Sequence, residues 1–183
     1  LTISKSAKIV ISATFTAEPI SHPLRYWLSQ IGLPWDIHFA PYSQIFQQLL
    51  DPSSAIAQND NGANLLLIRL EDWMTPQDHA EDADSTVAET VQETVAEFTN
   101  SLLAVAAGKP SAPYYVVICP PSPESVLTRS SLWEELSHSI CEAIGGAANV
   151  YTLQWQDVFK NYPVDNYYDC LLYTSPSPRD FTE

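Results

Sequence analysis

The chain has 183 residues, 45% of them apolar and 11% aromatic, which suits one globular domain with a sizeable core. Its net charge of −14, from 8 basic and 22 acidic residues, lacks the basic footprint that nucleic acid or an anionic membrane surface requires. No apolar run approaches the length of a membrane span, and no signal-peptide pattern opens the chain.

Taken in order, residues 1–7 read as a linker. An apolar run predicts a first strand over 8–12. It feeds a polar loop, Ser12-Ala13-Thr14-Phe15-Thr16-Ala17-Glu18-Pro19. A helix is predicted over 21–31, capped by Ser21 and stopped by Gly32, with Leu24, Trp27, Leu28 and Ile31 as its inward stripe. A second strand is expected over 35–40, a short helix over 43–50, and a turn at Asn59-Asp60-Asn61-Gly62. The third strand, 64–70, is an apolar run of the kind a buried central strand shows.

Residues 71–97 hold nine acids and no Lys or Arg. The first part, 75–84, reads as an exposed loop. A long helix follows over 85–107, with Val87, Val91, Val95, Phe98 and Leu102 as its core stripe. Glu89, Glu93 and Glu97 then form a solvated face rather than an acidic docking surface. A fourth strand over 114–119 leaves through Pro120-Pro121-Ser122-Pro123. A helix over 130–144 points Leu132, Trp133, Leu136 and Ile140 inward and stops at Gly145-Gly146. A fifth strand is expected over 150–153, and a short helix starts near Gln156. This β-α alternation means a parallel sheet with helices on both faces.

The tail is of a different kind. Cys170-Leu171-Leu172-Tyr173-Thr174-Ser175-Pro176-Ser177-Pro178-Arg179-Asp180 reads as the conceptual translation of a transposase-type sequencing adapter. Residues 170–183 are therefore expected to be a disordered artefact, and the domain, 8–169, to be cut short at its C-terminus.

Ligands of open α/β sheets bind beyond the carboxyl ends of the strands, so the loops there hold the candidate site. Only five glycines are present and none follows the first strand, so neither a dinucleotide fingerprint nor a P-loop is found, and no cofactor is expected. His22, His38, His79 and His138 are scattered. Cys119 and Cys141 have no metal spacing, so no metal site is expected. The cysteine usage suits a reducing cytoplasm.

Ser12, Thr14 and Thr16 supply hydroxyls at the first loop, as nucleophiles or as turn and cap residues. Arg69 ends an otherwise apolar strand. Strand alternation puts Arg69 and Glu71 on one face and Leu70 and Asp72 on the other. Such a pair either binds a polar substrate group or knits loops together. Thr14, Tyr42 and Glu71 are expected to converge at one edge, with Glu71 or Glu18 as the partner of Arg69.

The segments Ile11 to Pro19, Phe39-Ala40-Pro41-Tyr42-Ser43-Gln44-Ile45-Phe46-Gln47-Gln48-Leu49-Leu50-Asp51-Pro52, and Arg69-Leu70-Glu71-Asp72-Trp73 resemble the FkbH-like family. More narrowly, they resemble its SGNH-hydrolase-like domain, as found in nonribosomal peptide and polyketide synthetases. Cys119-Pro120-Pro121-Ser122-Pro123 and Tyr162-Pro163-Val164 fit the same pattern. The resemblance implies a flavodoxin-like three-layer α/β/α sandwich around a parallel sheet of about five strands. It also implies an accessory role toward a carrier-tethered acyl group or adjacent synthetase domains. In complete relatives a haloacid-dehalogenase-type phosphatase domain often follows, and nothing like it is present in this chain.

The enzymes of that class carry a Gly-Asp-Ser block after the first strand. Here Ser12-Ala13-Thr14-Phe15-Thr16 stands there, which aligns Thr14 or Phe15 with the nucleophile. The implied site is Thr14 and Ser12 as catalytic candidates, with Thr16, Tyr42, Arg69, Glu71 and Asp72 binding substrate. The resemblance places the catalytic His beyond the end of the domain segment. Two functions follow: an inactive binding domain, or a serine/threonine esterase or acyltransferase completed by that His.

Overall fold

The computed structural model describes residues 6–74, 84–108, 112–164 and 167. The expected loop at 75–84 and the expected artefact at 170–183 fall outside these, apart from Asp84. Five strands, β1 (Lys8–Ala13), β2 (Asp36–Phe39), β3 (Gly62–Ile68), β4 (Tyr114–Ile118) and β5 (Val150–Gln154), form one parallel sheet in the order β2-β1-β3-β4-β5. This is the flavodoxin-like order.

Among the described residues, five α-helices accompany the strands: α1 (Ser21–Gln30), α2 (Ile45–Leu50), α3 (Asp84–Ala106), α4 (Pro123–Ile144) and α5 (Trp155–Asn161). Among the described residues, no helix is long and apolar enough to cross a membrane.

Two cores flank the sheet. Val10, Leu66, Ile68, Tyr114, Val116 and Ile118 point into the larger one, where α2, α3 and α4 pack. Val87, Val91, Val95, Phe98 and Leu102 are buried there as the helical period predicts, while Glu89, Glu93 and Glu97 are exposed. Full burial of each such apolar side chain stabilises by about 1.5–3 kcal/mol. The smaller core lies between Ile9, Ile11, Ala13 and Leu67 of the sheet and Leu28 of α1.

Three expectations need correction. The last long helix begins at Pro123, not Ser130, because Ser122 caps it and Pro123 stands in its first turn. A break at Arg129 (φ −139°, ψ 30°) divides it, and the apolar period of 130–144 belongs to the second part. Trp27 and Ile31, expected inward, are 63% and 64% exposed, since α1 buries only the Leu24 and Leu28 side of its stripe. The alternation assumed through Arg69–Asp72 fails because β3 stops at Ile68 and Leu70–Trp73 winds into a 3₁₀ turn.

Candidate functional site

Three loops meet beyond the carboxyl ends of β1, β3 and β4. The chain leaves β1 with the Thr14 amide still bonded to the Leu67 carbonyl, at 3.1 Å. It leaves β4 with the Cys119 amide on the Ile68 carbonyl, at 2.7 Å. The β3 loop turns at once because Leu70 is buried and Trp73 is anchored by rings. Trp73 lies 5.6 Å from Phe98 of α3 and 6.1 Å from Phe46 of α2, centroid to centroid. This turn brings Asp72 back beside Arg69.

Arg69 is the hub. Its Nε donates to Asp72 Oδ1 at 2.8 Å, and Nη2 donates to the same oxygen. Glu71 Oε1 lies 3.4 Å from Nε. The guanidinium sits 5.6 Å from the centre of the Phe15 ring, a cation–π contact. All three charged side chains are largely buried, 12–16% exposed. The close partner is thus Asp72 rather than the expected Glu71 or Glu18. Glu18 is exposed.

Thr14 and Ser122 join the cluster from either side. Thr14 Oγ1 donates to Asp72 Oδ2 at 2.8 Å and accepts from the Arg69 amide at 3.0 Å. Glu71 accepts from the Ser122 amide at 3.0 Å and from its hydroxyl at 2.8 Å. Ser122 thereby fastens the start of α4 to the β3 loop. Sequence reasoning placed it only in the exit loop, although Ser followed by Pro is a helix-start signal.

Burial pushes the Asp72 carboxyl above the ordinary aspartate value of 3.8, against the lowering pull of Arg69 and Thr14. A raised folded pKa means the folded state holds the proton more tightly than the unfolded one. Asp72 on its own therefore lowers stability as pH rises from about the unfolded value through the folded one. Carbon-13 NMR of the Asp72 carboxyl should find its midpoint above 3.8; a midpoint at or below that value contradicts the balance drawn here. The partly buried Cys119 thiol is pushed up to about 12, chiefly by burial. It is no ready nucleophile.

The other expected residues are scattered around this cluster. Ser12 lies inside β1, fully buried, with its hydroxyl unpartnered, so it is not presented to a substrate. Thr16 is exposed. Tyr42 is 65% exposed and shares a shallow cleft with Phe15, Ala17, Glu18 and Phe39, with room for about one water (≈ 10 Å³). Thr14 and Glu71 therefore converge, while Tyr42 stands on the same edge but apart. His22 is exposed and bonds none of the cluster. His38 is exposed on β2. It lines a cleft of about 260 Å³ at the amino ends of the strands with Lys8, Asn59 and Asp60. His138 is exposed on α4, 3.4 Å from Glu142. His79 lies outside the described residues.

No protein-family model matches the chain, and no curated protein matches it. A solved structure does share its fold. It is the N-terminal part of the protein BF1531 from Bacteroides fragilis, described as containing a phosphatase domain complexed with Mg. The TM-score is 0.70 and the identity 12%, over 92% of this chain and 46% of that one. The chain thus spans about half the length of that structure, and the likeness shows the fold.

The residues here do not fit a magnesium centre. Mg²⁺ needs a near-octahedral shell of hard oxygens, commonly one or two free carboxylates among them. Glu71 and Asp72 are instead held by Arg69, Thr14 and Ser122. Among the described residues no group of three or more His, Cys, Asp or Glu is arranged for a metal.

Proposed function

We propose that this chain is an SGNH-like α/β domain of a nonribosomal peptide or polyketide biosynthetic enzyme, working in the cytoplasm. It binds a carrier-tethered acyl group or a neighbouring synthetase domain at the carboxyl edge of the sheet, and does not turn it over. The observation that carries this reading is the state of the Thr14 hydroxyl. Its proton points to a carboxylate already clamped by Arg69, and its lone pair takes the Arg69 amide. A nucleophile needs a free base and an open approach; this hydroxyl is a strut between two loops. The FkbH-like motifs support the reading, and the α/β fold shared with the BF1531 structure is compatible with it.

The 2.8 Å contact of Thr14 with Asp72, whose carboxyl is raised above the ordinary value, favours a second reading in which Thr14 is a nucleophile with Asp72 as its base. One measurement separates them, and a second tests the binding itself. Short acyl esters and acyl-pantetheine thioesters should be hydrolysed no faster by the chain than by its Thr14→Val variant. Turnover that this substitution removes establishes the second reading. In an amide NMR titration, an acyl-pantetheine should shift Phe15, Thr16 and Tyr42. No shift along this edge at millimolar probe sinks the acyl-binding proposal.

A further inference from the structure

Helix α4 consists of two parts with unequal anchorage. The second, beyond Arg129, puts Trp133, Leu136, Ile140 and Ile144 into the larger core. The first, 123–128, reads Pro-Glu-Ser-Val-Leu-Thr, and none of its side chains joins either core among the described residues. Leu127, its largest apolar residue, is 88% exposed. Arg129, between the two parts, lies outside the helical range of backbone angles.

Ser125 and Trp133 show the bend that results. Residues eight apart are separated by about 12 Å along a straight helix. Yet Trp133 Nε1 donates to Ser125 Oγ at 2.9 Å and to the Ser125 carbonyl at 3.3 Å. The first part has folded back at Arg129 onto the edge of the indole.

The bonds that hold it there are polar. Glu71 Oε1 accepts from the Ser122 amide and Oε2 from the Ser122 hydroxyl. The same hydroxyl accepts from the Ser125 amide at 3.4 Å. Apolar burial, which fixes the second part in the core, contributes little to the first. A segment with few buried apolar contacts opens at a free energy well below that of global unfolding.

We propose that residues 122–128 are a strap at the carboxyl edge of the sheet, latched by Glu71, which opens locally between Pro121 and Arg129 while 130–144 stay in the core. Pro121 is buried and pins one end. The non-helical Arg129 lets the other end move without unwinding the rest of α4. Opening frees both oxygens of Glu71 from Ser122 and bares the indole N–H of Trp133. Glu71 also stands 3.4 Å from Arg69 Nε, so the latch is part of the charged cluster. A ligand that draws Glu71 toward itself therefore releases the strap. This inference does not depend on the function proposed above.

Native-state hydrogen exchange of the 183-residue chain, followed by NMR in low guanidinium, tests it. The amides of Val126, Leu127 and Thr128 and the Trp133 indole N–H should exchange about a hundred-fold faster than the Ser137 and Ile140 amides, with little dependence on denaturant. Glu71→Gln should speed the strap group about ten-fold, because the charge-assisted bonds to Ser122 are lost. Ser122→Ala, which leaves Arg69, Glu71 and Asp72 in place, should act in the same direction. Gly32→Ala, remote on the loop after α1, should speed Ile140 and leave the strap unchanged. Exchange of the strap at the rate and denaturant slope of Ile140 in the parent chain overturns the proposal, since the segment then opens only with the whole domain. Strap exchange unaltered by both Glu71→Gln and Ser122→Ala overturns it too, since Glu71 is then no latch.

Discussion

Arg69→Ala should destabilise the domain by about 2–4 kcal/mol, read from urea or guanidinium denaturation at neutral pH. The size follows from what the substitution strands. Asp72 and Glu71 are 16% and 12% exposed, and the guanidinium is the cation that the structure places against both. Removing the cation leaves two mostly buried carboxylates with only the neutral donors of Thr14 and Ser122. The stem of Arg69 and its contact with the Phe15 ring go as well.

Arg69→Lys should recover only part of the loss, because an ammonium cannot reproduce the paired Nε and Nη2 donation to Asp72. Combining Arg69→Ala with Asp72→Ala should cost less than the two single losses added together, since the second change removes a carboxylate that the first left unpaired. A loss under about 0.5 kcal/mol for Arg69→Ala, the ordinary surface range, would show that the cluster is solvated and holds no loops together.

Much of this cluster was legible before any coordinates. A guanidinium ending an apolar strand has to find a carboxylate or the solvent, and the βα alternation already brought the first and third loops to one edge. The choice of carboxylate was not legible by alternation, because the two-residue period holds only while the chain stays extended. Leu70 and Trp73, three apart and both apolar, carry the signal of a helical turn instead.

Ser122 was hidden by a run of prolines that reads as loop. Its capping of α4 depends on a helix that starts before its own apolar period begins. The stripe of α1 was found correctly as a stripe, but amphipathicity says nothing about how much of it a neighbour covers. Trp27 and Ile31 lie exposed for that reason. The same limit applies to Tyr115, Tyr151 and Leu153, whose alternation marks a strand face without saying what packs on it. The five parallel strands needed only local patterns, so they were the most legible of all.

The largest single-residue loss should come from Gly62→Ala at the opposite end of β3. Gly62 has φ +120°, a conformation that L-residues rarely adopt. An added Cβ would stand 2.0 Å from the Lys8 carbonyl oxygen and 2.6 Å from the Lys8 nitrogen. Both are backbone atoms of the neighbouring strand, paired with Gly62 in the sheet register. No side chain can swing away to make room. Relief requires β1 and β3 to part where their ladder begins.

Asn59 ties that same corner. Its Nδ2 reaches the Ala63 carbonyl at 3.1 Å and Asn64 Oδ1 at 3.0 Å, and Asn64 is fully buried. A shift at Gly62 therefore also strains a mostly buried polar network. The expected loss is at least about 3 kcal/mol, from strain in the left-handed region plus the steric clash. It should appear as a lower denaturation midpoint with an unchanged slope. Gly32 provides the control. Its φ is +72°, but a Cβ there meets nothing within 4 Å, so Gly32→Ala should cost only about 1–2 kcal/mol of backbone strain. Equal losses at the two glycines would mean that φ alone sets the cost. A Gly62→Ala variant within about 0.5 kcal/mol of the parent would show that β1 and β3 do not meet in this register.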